Sequence, residues 1–96
     1  MAKVLGTEYT VTATKTSLST ILGAAQWVSH IVFRAGGANT GTVYIGPSTL
    51  TISANRTVYL TAGESFSISL EEAQVYSDHI YVIGTAGDLL HIFGVS

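Results

Sequence analysis

Between residues 65 and 70 the chain reads Ser-Phe-Ser-Ile-Ser-Leu, a strict alternation of hydroxyl and apolar side chains. Helices repeat about every 3.6 residues and strands every two, so the pattern describes a strand with Phe66, Ile68 and Leu70 on one face. Ser65, Ser67 and Ser69 then share the other face. The same period recurs in TVYIG with Val43 and Ile45 inward, in TLTIS with Leu50 and Ile52 inward, and in TVYL with Val58 and Leu60 inward. Near the start, Tyr9, Val11 and Ala13 alternate with Glu8, Thr10, Thr12 and Thr14. β-Branched and aromatic residues dominate these segments, as a pleated, half-buried surface favours.

Three further segments, WVSHIVF, HIYVIG and LLHIFGV, carry large apolar side chains on both faces. Strands of that kind are covered on both sides, by the rest of the fold or by a partner. Turn chemistry separates the segments: AGGANTG from Ala35 to Gly41, GPS at Gly46 to Ser48, SANR before Thr57, TAGE ending at Glu64 and TAGD ending at Asp88. The last two repeat one design 24 positions apart, with a glycine to supply positive φ and an acid able to accept a backbone N–H. Asn55-Arg56-Thr57 matches a glycosylation sequon but reads as a turn between strands.

The expected fold is therefore all-β: a small antiparallel β-sandwich, jelly-roll-like, of about eight strands. A chain of 96 residues has material for one core, so residues 1–96 form a single domain, with residues 1–6 as an N-terminal arm. The expected core holds Val11, Ile31, Phe33, Val43, Ile45, Leu60, Phe66, Ile68, Ile80, Val82 and Ile92, and an alanine at Ile68 costs about 2 to 5 kcal/mol. SLSTILGAAQW offers one short helix, capped by Ser17 or Ser19 and stopped by Gly23. EEAQVYS, from Glu71 to Ser77, reads as a loop.

Charged residues make up only 10% of the chain, where about a quarter is usual. Serine and threonine solvate the surface instead, without the repulsion that holds highly charged proteins apart. A net charge of −2 with four cations, Lys3, Lys15, Arg34 and Arg56, argues against nucleic acid as a partner. No apolar run approaches the roughly 20 residues of a membrane span or resembles a signal peptide, so no membrane partner is expected. Without cysteine there is neither a disulfide nor a thiolate metal site.

Catalytic chemistry is hard to assemble from what remains. His30, His79 and His91 fit no ligand spacing, each lying between apolar neighbours. Glu71 and Glu72 pair with no second carboxylate. A Ser-His-Asp set lacks its G-x-S-x-G elbow, and AGGANTG has neither the lysine nor the helix of a phosphate loop. The expectation is a protein that is not an enzyme, with no catalytic residues, no cofactor and no metal. Outward aromatics and the apolar start of the chain are the residues left to make an interface: Val4, Leu5, Trp27, Tyr44, Tyr59 and Tyr76.

The order IVFRAGGANTGTVYIGPSTLT, then VYLTAGESFSISL, then SDHIYVIGTAGDLLHIFGV resembles small structural proteins of tailed bacteriophages over residues 28–95. In that family VYIG, L-x-x-GES and IYV-x-GTAGD follow one another through a β-sandwich or jelly roll on the virion. Gly46, Gly63, Glu64, Gly84, Gly87 and Asp88 match its turn positions and are scaffold. The resemblance implies a capsid decoration or cement protein on the virion surface, made in the host cytoplasm, which binds the outside of the head and bridges major capsid protein subunits as a homotrimer. The L-x-x-GE segment is also similar to cupins, but the metal-binding histidines that should precede it are missing. Two rival classes remain. Exposed aromatics beside acid or amide groups would favour a tail or fibre module binding host carbohydrate, and a pocket joining a histidine to a carboxylate would favour a small enzyme.

Overall fold

The alternating segments pair over long sequence distances, and these pairings define the architecture. The computed structural model describes residues 4–51, 53–70 and 74–95. Its strands are β1 (Val4–Thr10), β2 (Thr16–Ser17), β3 (Trp27–Val28), β4 (His30–Ala35), β5 (Val43–Gly46), β6 (Val58–Leu60), β7 (Ser65–Ser69), β8 (Val75–Tyr76), β9 (Tyr81–Ile83) and β10 (Leu89–Val95). One short helix, α1 (Leu18–Leu22), and a 3-10 turn at Ser77–His79 complete the elements. The protein is thus mostly antiparallel β. Among the described residues no helix is long and apolar enough to cross a membrane.

Sheet one runs β1-β10-β4-β7, sheet two β2-β9-β5-β6, and β3 pairs β8 in a two-stranded third sheet. Ten strands replace the expected eight because β2, β3 and β8 have two residues each, too few for any period to show. WVSHIVF is also divided at Ser29, whose N–H donates to Val95 O at 2.9 Å before the chain continues as β4. Leu5, Ile31, Phe33, Ala35, Leu90 and Ile92 from sheet one share a core with Val43, Ile45, Leu60 and Val82 from sheet two. Val11, Leu18, Val28 and Ile80 also belong to it.

Several expectations change with their surroundings. Leu5 is buried in the core, and Val4 to Gly6 begin β1 rather than forming an arm, because that strand pairs with β10 along its whole length. Residues 1–3 lie outside the described residues. Ala13 is exposed, since β1 ends at Thr10 and Val11 instead exchanges backbone hydrogen bonds with Gly87 and Asp88. TLTIS forms no described strand. Leu50 N donates to Pro47 O and Thr51 N to Ala54 O, both at 2.9 Å, and Asn55 turns the chain at φ 58°. Leu50 is buried nonetheless, because the loop folds over Gly46, where an added Cβ would lie 2.7 Å from Asn55 O and 3.2 Å from Leu50 Cδ1. Ile52, Glu71, Glu72 and Ala73 lie outside the described residues, while Val75 and Tyr76, expected in a loop, form β8.

Phe66 and Ile68 point inward as the alternation requires, yet they are only half-buried, because β7 is the edge of its sheet. Replacing Ile68 by alanine is therefore expected to cost about 1 to 2 kcal/mol, roughly half of full burial at ~0.8 kcal/mol per methylene. Urea unfolding that gave more than about 3 kcal/mol would show a tighter edge than this.

Local signals hold where they are self-contained. The Ser17 side chain accepts from Thr20 N and caps α1, and Gly23 ends it at φ 85°. Gly63 and Gly87 adopt φ 79° and 93°, and Glu64 N and Asp88 N donate to Thr61 O and Thr85 O respectively. Their acids then part company. The Glu64 carboxylate folds back on its own turn, accepting from Thr61 Oγ1 at 2.6 Å and Thr61 N at 2.7 Å. These donors, the hydroxyl first, hold its pKa below the usual glutamate value. The stabilisation is present above the ordinary glutamate pKa and is lost as pH falls through the lowered folded value. An NMR titration should find Glu64 protonating late, and Thr61→Val should bring it back toward the normal range.

Candidate functional site

The register of sheet one builds its outer face row by row. Across β1, β10, β4 and β7 the outward positions read Val4, Val95, His30, Ser69, then Gly6, Phe93, Val32, Ser67, then Glu8, His91, Arg34, Ser65. Val4, Val32 and Phe93 are 68%, 41% and 56% exposed. They form an apolar patch. Val32 and Phe93 are cross-strand neighbours on the two central strands and Val4 lies on the edge strand β1, while the Phe93 ring rests against Gly6, its Cδ2 3.9 Å from where a Cβ there would stand. One flank carries charge: His91 Nδ1 lies 3.5 Å from Glu8 Oε2, with Arg34 on the other side of His91. The opposite flank carries His30, whose Nδ1 is 2.9 Å from Ser69 Oγ. So exposed a contact contributes little by itself.

A second exposed surface lies at the small third sheet. Trp27 is 54% exposed and its ring stands 4.9 Å from that of Tyr76, tilted by 50°, because β3 and β8 place the two residues opposite each other. Tyr76 meets the His79 ring edge-on at 6.1 Å. Ser77 anchors this region from beneath: its buried hydroxyl accepts from Gln26 N at 2.9 Å and is paired with Ser19 Oγ at 2.6 Å. The ridge is thus held by long-range hydrogen bonds, with the Trp27 ring facing solvent and Tyr76 half-buried beside it.

Tyr44 and Tyr59 meet on the outer face of sheet two, opposite each other on β5 and β6 with rings edge-on at 5.5 Å. The Arg56 guanidinium lies 5.0 Å from one ring and 5.6 Å from the other. Their faces are already engaged by a cation of the same chain. Lys15 does the same over Tyr81 at 5.1 Å, and its Nζ donates to Ser48 O. Between the edge strands β6 and β7 an apolar cleft of about 370 Å³ opens, lined by Val58, Phe66, Ile68, Ile80 and His79.

The six residues expected at an interface therefore occupy separate places. Val4 is on the sheet-one patch, Trp27 and Tyr76 make the ridge, Tyr44 and Tyr59 pack with Arg56, and Leu5 is core. Phe93 and Val32 are the members sequence reasoning did not single out, although the two-sided pattern of IVF and HIF carried the signal. Each histidine has a neighbour of a different kind: Ser69 for His30, Tyr76 for His79 and Glu8 for His91. Among the described residues no three metal-capable side chains gather in one place. No family model, curated protein or solved structure matches the chain.

Proposed function

We propose that this chain is a non-enzymatic structural protein of a tailed-phage virion, a jelly-roll-like decoration or cement protein that binds the outer surface of the head and bridges major capsid subunits. The observation that carries this reading is the pair of separate exposed surfaces, the Val4–Val32–Phe93 patch and the Trp27–Tyr76 ridge. A bridging protein needs at least two contact surfaces, and repetition over a lattice turns individually weak contacts into firm attachment. A surface poor in charge suits close neighbours, and the order of motifs from residue 28 to 95 supports the phage assignment. Tryptophan and tyrosine are the side chains that most often dominate such contacts, so the ridge is the part assigned to the capsid.

The test mixes purified protein with heads stripped of their decoration and measures co-pelleting. Saturable binding, lowered at least tenfold by Trp27→Ala with the circular dichroism unchanged, is the expected result. A second reading, a tail or fibre module that stacks host sugars on the exposed Trp27 ring, is favoured by the same ridge. Protein that ignores heads but is retained on host polysaccharide would establish that reading instead.

A further inference from the structure

We infer that the outer face of sheet one packs against the same face of a second copy of the chain, about a two-fold axis that runs parallel to the strands over β10. That axis sets β10 on β10 and β1 of each copy on β4 of the other. Phe93 then meets Phe93, each Val32 stands over Gly6 of the other copy, each Val4 over His30, and each Glu8 faces Arg34. His91, midway between its own Glu8 and Arg34, faces its counterpart on the axis. The register that defines these rows is continuous along both pairings. Stacked sheets align within about 30° of each other, which an axis parallel to the strands allows.

Other two-fold arrangements of this face match poorly. An axis across the strands at the His91 row stacks Glu8 on Glu8 and Arg34 on Arg34. Moved to the Phe93 row, it sets Val4 against Glu8. An axis between β10 and β4 brings His91 against Arg34 and leaves Glu8 opposite Ser65. Over β10 the opposite charges of Glu8 and Arg34 pair at both ends and the apolar residues of the Phe93 row meet, and one isologous contact closes on two copies instead of the three that the resemblance implied.

Strand spacing of about 4.8 Å and a rise of about 3.3 Å per residue make the face roughly 15 by 20 Å. That is small beside the ~800 Å² per partner of a standard interface, so the dissociation constant is expected to be micromolar or weaker. Self-association is measured without capsids, and because it covers the patch counted above as one of two contact surfaces, the pair would meet the capsid through the ridge of each copy.

Sedimentation equilibrium of the free protein from about 10 μM to about 1 mM should show reversible doubling of mass. Glu8→Arg and Arg34→Glu should each weaken the pair about tenfold, because every change acts twice across the axis. Mixing the two variants should restore association, since each would then offer the charge the other lacks at both sites. Trp27→Ala should leave association unchanged. Protein that stays monomeric throughout, a trimer, or variants whose mixture associates no better than either alone would overturn the inference.

Discussion

Replacing Phe33 by alanine is expected to lower the unfolding free energy by about 3 to 5 kcal/mol, a large share of the ~5 to 15 kcal/mol available to a domain of this size. Phe33 is wholly buried at the middle of β4, with Ile92 on one side and Phe66 on the other in register. It stands in the cluster that both sheets share, so its removal opens a cavity between them. At roughly 4 to 8 °C per kcal/mol, the melting temperature should fall by more than 10 °C. Urea unfolding monitored by circular dichroism gives the free energy directly, and a loss under about 1 kcal/mol would mean that the two sheets do not pack through this residue.

Removing the Asp88 carboxylate should be comparably damaging, for a different reason. The side chain is 6% exposed and reaches across to the loop that follows β4. Oδ2 accepts from Gly41 N at 2.9 Å, and Oδ1 accepts from Thr40 N at 3.1 Å and more weakly from Thr40 Oγ1 at 3.4 Å. Gly41 lies so close that an added Cβ would fall within 2.7 Å of Thr85 Cβ, so the two segments are pressed together. Asp88→Ala leaves the two backbone donors without an acceptor, and hydrogen bonds to a charged group are worth about 1.5 to 3 kcal/mol each. An expected loss of about 3 to 5 kcal/mol follows, with faster amide exchange at Thr40 and Gly41. Asp88→Asn retains one acceptor oxygen and should recover part of it. Glu64→Gln, at the matching position of the other turn, should cost far less, because its carboxylate is exposed and serves only Thr61. Equal losses at the two positions would contradict the distinction.

That contrast also marks how far local sequence carries. The Thr-Ala-Gly-acid repeat predicts two turns with left-handed glycines, and Gly63 and Gly87 adopt that conformation because their positive φ depends on residues within the turn. The helix cap at Ser17 and stop at Gly23 are equally local. So are the inward faces of β5, β6 and β7, since side-chain direction along a strand alternates whatever lies beside it.

Burial and company were decided elsewhere. Phe66 and Ile68 alternate as cleanly as any pair in the chain, yet they are half-exposed because β7 has no strand beyond it. Leu50 lies outside any described strand and is buried, because a loop carries it onto Gly46. Val4 and Leu5 look alike as sequence, but pairing of β1 with β10 sends one to the surface and the other to the core. Trp27 and Tyr76 become one surface only through the pairing of β3 with β8, and Asp88 acquires its role only because Thr40 and Gly41 arrive beside it. The sequence by itself determined a mostly β chain, its turns and the face to which most strand residues point. Which faces are covered, and which residues meet on those left open, depended on the order of strands within each sheet. That order is set by contacts between distant segments, and no local period encodes it.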